Sequence, residues 1–402
     1  MGLVKSMWLE SEERGWDAPD KSVCAECVED EYLKSVITDS ASERHCDYCG
    51  RDAEEAIAAP VEAILEPISY ALFSHFAEPG AAGLPRDSGE WVGEEQITDT
   101  YDALLSLPLD SDGDLFEDIA DSFHNTAWYP CADGHWLDIH EHQELGYAWN
   151  SFVYEIKHRS RYFLFGRKSR AGFAPGERYT PITLLKRIGK LVQELKLIKS
   201  VLATTRMYRV RRTEEGVEFA DFKEVGPPPE EHVGAGRMNP PGISYFYLAL
   251  ERETALAEVL DKPPCHAAIA EFEVTKELLL LDLTELPSLP SIFDSERRGE
   301  RQGLLFLESF VEAIAEPVTR DGREHVEYIP SQVVCEFFAQ VMRTDGKGQL
   351  DGIEYPSAVR PGGKNVVVFP PRDISERWED RVKLRSISHL SFHNWEELKK
   401  AI

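Results

Sequence analysis

The chain has 402 residues, enough for roughly two or three domains that each bury a core of their own. Its 72 Asp and Glu against 44 Lys and Arg give a formal net charge of -28, which repels phosphate backbones and disfavours generic nucleic-acid binding. No apolar run is long enough to cross a bilayer, and the opening MGLVKSMWLESEERGWD lacks the apolar core of a signal peptide, so a cytoplasmic protein without a membrane partner is expected.

Cysteines come first. Cys24, Cys27, Cys46 and Cys49 form C-x2-C-x18-C-x2-C, a spacing at which two knuckles give four thiolates to one tetrahedral zinc. Free thiols or a redox pair would explain one CxxC but not two. A structural zinc is therefore expected within residues 1–55, worth ~10–16 kcal/mol to a segment with little core of its own. A closed set of four thiolates leaves no open position for catalysis.

Residues 52–78 carry apolar side chains at helical spacing, with Pro60 and Pro67 marking kinks or breaks. The stretch 78–144 holds seventeen acidic residues and a single basic one, Arg86, whereas 157–199 holds twelve basic and two acidic residues. The simplest account is that acidic and basic helices pair with each other; an RNA-binding face is the sharper alternative. Cys131, His135, His140 and His142 are metal-capable, but their spacing fits no standard zinc pattern and they read as exposed polar residues on an aromatic-rich loop. Long helices are predicted at 147–165 and 181–202. Pro181 suits the first turn of the second, and Leu184, Leu185, Ile188, Leu191, Val192, Leu195 and Ile198 trace its apolar stripe.

A domain boundary is placed near Ala203. Beyond it, MYRVRR, HAAIAEFEV, LLLLDLT, DGIEY and KNVVVF read as strands, GPPPEE at 226–231 as a loop, and the segments around 303–315 and 331–343 as helices. Mixed α/β is the expectation for this half.

The run GRMNPPGISYFYLALERETALAEVL at 236–260 sets Arg237, Tyr247 and Glu258 at intervals of ten and eleven residues across a loop, a strand and a helix. Its glycines and paired prolines fix an open turn. SYFYLAL alternates like a half-buried strand, and ETALAEVL reads as a helix beginning near Glu253 or Thr254. Taken singly, each residue has an ordinary reading: a surface arginine, a core tyrosine, a solvated glutamate. Their joint order points instead to a site for an anionic ligand. No G-x-S-x-G, P-loop or G-x-G-x-x-G segment offers a competing chemistry.

With EHVEYIPSQVVCEFF at 324–338 and DGIEYPSAV at 351–359, this run resembles the RES family, NAD-consuming toxin domains whose fold is related to the ADP-ribosyltransferases. The resemblance covers 204–375. It implies that Arg237 clamps the NAD pyrophosphate, Tyr247 stacks on nicotinamide, Glu258 serves the ribose where positive charge develops, and Ser357 lines the pocket. It adds Arg209 of MYRVRR as a second phosphate contact, in preference to Arg211 on the same face, and Asn239 as a ligand contact. Tyr328 and Gln332 read as structural. The acidic helical region with WNSF and RYFLF resembles the HEPN-like N-terminal domain of some RES proteins. HEPN ribonucleases pair an Arg with a His four to six residues away, and no such pair occurs in 56–200, so a non-catalytic helper is expected. Arg320 and His325 match that spacing but lie within the RES segment.

The resulting expectation is a multidomain α and α/β protein: a zinc knuckle at 1–55, a helical HEPN-like domain at 56–203 and a mixed α/β RES domain at 204–402, resembling ADP-ribosyltransferases. Its activity would be NAD glycohydrolase or phosphorylase-like, in a toxin or defence effector. Protein ADP-ribosylation and a non-catalytic nucleotide-sensing module are the alternatives. Implied partners are NAD, an antitoxin or defence protein, and a second copy of the chain.

Overall fold

The computed structural model describes residues 12–87, 90–91, 96–109, 113–131, 139–164, 178–315, 322, 324–344, 346, 348–373 and 375–402. His135 and Arg320 lie outside the described residues. The chain divides into two compact units, Met1–Glu144 with Phe173–Pro175 and Leu289–Gly303, and Leu145–Gly172 with Gly176–Ser288 and Leu304–Ile402. This division departs from the boundaries at 55 and 203, because the knuckle shares a core with the helices that follow it and a later segment returns to that core.

In the first unit, β1 (Ser22–Cys24) leads to α1 (Glu31–Asp39), which is capped by Asp30 accepting from the amides of Tyr32 and Leu33. Antiparallel to β1 lies β2 (Ala58–Pro60). Pro60 thus closes a strand, and the expected helix begins only with α2 (Glu62–His75), which carries Pro67 in its interior. Short ribbons β3 (Phe76–Ala77), β4 (Arg86–Asp87), β5 (Glu90–Trp91) and β6 (Tyr129–Pro130) pair β3 with β6 and β4 with β5. Helices α3 (Thr100–Leu105) and α4 (Asp114–Asp121) complete the unit. Its core joins Val23, Leu33, Ile37, Ile64, Leu72, Phe116, Trp128 and Phe293.

The remaining chain forms α5 (Glu141–His158), α6 (Pro181–Glu194), β7 (Ile198–Val201), β8 (Arg206–Thr213), α7 (Phe222–Val225), β9 (Phe246–Ala249), α8 (Arg252–Val259), β10 (Cys265–Val274), β11 (Leu278–Asp282), α9 (Arg298–Ala315), α10 (Glu324–Glu327), α11 (Ile329–Glu336), β12 (Gly352–Pro356), β13 (Lys364–Val368), β14 (Val382–Phe392) and α12 (Trp395–Ala401). The division between the units falls inside α5 and α9. The single helix expected over 181–202 instead ends at Glu194. Lys196 takes a positive φ of 56°, the chain reverses, and Ile198 enters β7, which pairs with β11.

One eight-stranded sheet runs β14-β10-β8-β9-β13-β12-β11-β7, and only β11 and β12 are parallel. LLLL of β11 explains its layers by alternation: Leu278 and Leu280 join Phe246, Phe272 and Val366 on one face, while Leu279 and Leu281 join Trp149, Phe152, Ile188, Phe310 and Val334 from the helices on the other. A further cluster packs α8 and α12 against β8 and β10 through Leu256, Leu398, Val210 and Ile269. The sheet has one weak seam. β8 and β9 share the single register pair Tyr208 with Ala249, whereas β9 and β13 share four.

Among the described residues, the basic block makes ion pairs as follows. Lys157 meets Glu327, Arg187 and Lys190 meet Glu194, and Lys199 meets Asp282 and Glu354. No described helix is long and apolar enough to cross a membrane.

Candidate functional site

The loop carrying Arg237 is held from three sides. Asn239 donates through Nδ2 to the carbonyls of Gly234 and Pro240, both at 3.1 Å, and the Gly236 amide donates to the Asn239 carbonyl at 3.0 Å. From α11, Gln332 Nε2 donates to the carbonyls of Gly236 at 2.8 Å and Asn239 at 3.0 Å, and the Ser331 hydroxyl donates to that of Arg237. From β9, the Tyr247 hydroxyl accepts from the Met238 amide at 3.0 Å and donates to Asn239 Oδ1 at 2.8 Å. A Cβ at Gly236 would stand 2.1 Å from Asn239 Oδ1 and 2.8 Å from the Tyr247 hydroxyl, so only glycine fits there. Asn239, 4% exposed, is therefore spent on shaping the loop, and Gln332 has the structural place expected of it.

Arg237 itself reaches the C-terminus of α9, where Nη1 donates to the Ala315 carbonyl at 2.7 Å. A cation there satisfies a carbonyl that the helix leaves open.

Glu258, exposed on α8, is gripped at one oxygen. Its Oε1 accepts from Ser357 Oγ at 2.7 Å and from Asn365 Nδ2 at 2.6 Å. Ser357 Oγ in turn accepts from the amides of Val359 and Arg360 at 3.3 and 3.1 Å. The turn after Ser357 is fastened to the start of α8: Glu251 Oε2 accepts from the Lys364 amide at 3.0 Å and from Thr254 Oγ1 at 2.7 Å, and Arg360 Nη1 donates to Thr254 Oγ1 at 3.2 Å. Asn365 lies opposite Tyr355 and Ala249 in the sheet and is 5% exposed. Sequence reading passed over it; a lone amide inside the apolar run KNVVV was the available signal.

Burial pushes the Tyr355 phenol up, with Tyr247 and Glu258 adding to the effect and Arg237 opposing it. Burial also pushes Tyr247 up.

Arg209 stands on β8 at the seam with β9. Its guanidinium lies 5.4 Å from the centre of the Phe246 ring, and Nη1 is buried with no hydrogen-bond partner among the described residues. Burial, reinforced by Arg211 and opposed by Tyr247, brings its pKa down to about 10. Arg211 by contrast donates to the Glu224 carbonyl and packs over Phe219. A buried, unmatched guanidinium is destabilising unless an anion completes it.

In the first unit the four cysteines converge, with all four Sγ atoms within 4.8 Å of one another. The Cys24–Cys27, Cys24–Cys49 and Cys27–Cys46 separations are 3.7, 3.5 and 3.7 Å. Tetrahedral thiolates at a usual Zn–S bond length would stand ~3.8 Å apart. Burial raises the Cys46 thiol, but amide donors from Cys49, Tyr48 and Cys24 outweigh it and bring it down to about 7. The knuckle is fastened to α4, where Asp118 Oδ2 accepts from Tyr48 at 2.8 Å and from Lys21 at 2.5 Å. Among the described residues this quartet is the one group of His, Cys, Asp or Glu arranged to hold a metal. Cys131 and His140, expected to be exposed, are buried at 8% and 7%, and His140 packs between the rings of His75 and His142.

Comparison with protein families gives two matches, the RES domain over residues 206–386 and HEPN/RES N-terminal domain 1 over residues 39–170. A search of curated proteins and one of solved structures found no match. Arg209, Arg237, Tyr247, Glu258 and Ser357 all fall in the first span, and the chain therefore carries a RES domain preceded by a HEPN/RES N-terminal domain.

Proposed function

We propose that the RES domain binds NAD and breaks its nicotinamide–ribose bond, as a toxin or defence effector that drains the NAD pool. The observation that carries this reading is the Glu258 carboxylate, exposed yet fixed by two neutral donors, Ser357 and Asn365. Cleavage sends the bonding electron pair to the nicotinamide ring and leaves positive charge on the ribose. A preorganised carboxylate lowers the energy of that state, most of all where water is excluded. Arg237 supplies a fork-shaped donor for the pyrophosphate, and the unmatched Arg209 a second cation for it. With its hydroxyl committed to the loop, Tyr247 offers only its ring face, which suits nicotinamide. Water or phosphate then takes the ADP-ribosyl group. The cysteine quartet would hold a structural zinc, and an antitoxin or a second copy of the chain would restrain the activity.

The test is incubation of the full chain with NAD labelled in its adenylate portion, followed by separation of small-molecule from protein-bound label. Release of ADP-ribose or its phosphate supports the proposal. Label joined covalently to protein favours ADP-ribosylation, and intact NAD recovered from the protein favours a sensing module. No uptake and no turnover would remove all three.

A further inference from the structure

We infer that Asn365 is a positioning residue that holds the Glu258 carboxylate in its working orientation. The inference rests on the NAD-cleaving role proposed for Glu258. Asn365 belongs to β13, where Val366, Val367 and Val368 follow it, each fully buried at 0% exposure. An amide in such a strand must find partners or destabilise it. Its Nδ2 donates to Glu258 Oε1 at 2.6 Å, across 107 residues of chain. Strand pairing fixes its backbone between Ala249 and Tyr355, so the donor is carried by the sheet rather than by a loop.

Ser357 donates to the same oxygen from the turn after β12. Two donors, one from a turn and one from a strand, share Oε1 and restrain the carboxylate. The serine is placed by a turn, the asparagine by a strand paired on both sides. Asn365 thereby acts through Glu258, without itself meeting the reacting bond.

Asn365→Asp tests this because it keeps the shape and changes only the donor. The introduced carboxyl and that of Glu258 would form a pair that retains one proton at low pH and loses it as pH rises. While that proton remains, it restores the hydrogen bond; once it leaves, the two charges repel and Glu258 is displaced. We expect kcat of the full-length variant to fall by about 100-fold across that step, the scale of an ångström-sized misplacement. NAD affinity, measured by calorimetry, should stay within a few-fold of wild type. Asn365→Ala should lose kcat by a similar factor with no added pH step. A merely structural role would lower thermal stability and leave the shape of the pH profile that of wild type. An Asn365→Asp profile parallel to wild type, or an unchanged kcat in Asn365→Ala, overturns the inference. Absence of turnover in the wild-type chain would instead overturn the reading it rests on.

Discussion

Replacing Arg209 by methionine should make the ligand-free protein more stable and the NAD-bound protein less so. Burial draws the Arg209 guanidinium well below its usual value, down to about 10, which corresponds to about 3 kcal/mol against the charged form. The folded value lies below the unfolded one, so that penalty is present in full below about pH 10 and is relieved only as pH rises from there through the unfolded value. Stacking on Phe246 returns ~0.5–2 kcal/mol. Methionine keeps an apolar stem over that ring without the charge, leaving a net gain of about 1–2 kcal/mol in the absence of ligand. A charge-assisted hydrogen bond to a phosphate is worth ~1.5–3 kcal/mol, so the same variant should bind NAD roughly 10–100-fold more weakly. Thermal melts of wild type and Arg209→Met, each with and without NAD, read both effects. A variant that melts lower than wild type without ligand, and gains as much from NAD, would refute the reasoning.

Glu258→Gln should keep its fold, since the amide oxygen still accepts from Ser357 and Asn365, yet lose at least ~10²-fold in NAD turnover; near-normal turnover by the folded variant would sink the assignment. Elemental analysis of freshly purified protein should find zinc equimolar with the chain, and Cys46→Ser should remove it and lower the melting temperature of the first unit. Zinc-free wild type would end that idea. The paired hydrogen bonds from Arg381 at 2.9 and 2.7 Å hold the Glu376 carboxylate down to about 2, so this clasp stabilises the fold above about pH 4.5 and fails as pH falls through about 2. Glu376→Gln should therefore cost about 3 kcal/mol at neutral pH, a difference that shrinks on acidification; a constant difference across acid titration contradicts it.

The cysteine quartet was legible because metal chemistry fixes both residue type and spacing. The placement of Arg237, Tyr247 and Glu258 on one loop, one strand and one helix was legible because the local pattern of the run that carries them sets those elements. What the spacing could not convey was how side chains share their atoms: Asn239 and the Tyr247 hydroxyl satisfy each other, and Asn365 reaches Glu258 from a distant strand. The apolar stripe of 184–198 was read one turn too far, since Ile198 continues a helical pattern as readily as it begins a strand. Only the positive φ of Lys196 decides between them. The boundary near Ala203 lies close to the start of the RES match at 206, yet the compact units divide elsewhere. It would sever β7 from β11, together with α6, whose Ile188, Leu191 and Val192 are buried with the strands of the sheet.

The interleaving of the two units governs the order in which they can mature. The first unit needs Leu289–Gly303, since Phe293 is fully buried in a core built mostly from residues before 130. The second begins at Leu145 and closes its sheet with β14 at Val382–Phe392. A ribosome releasing the chain from its N-terminus therefore cannot finish the first unit and then the second, and both await contacts of large sequence separation. Glu258 emerges long before Asn365 and Ser357, and until β13 joins the sheet its carboxylate has neither donor. Under the NAD-cleaving reading proposed above, a chain terminated before Ser357 and Asn365 would lack both supports of that carboxylate and should be inert.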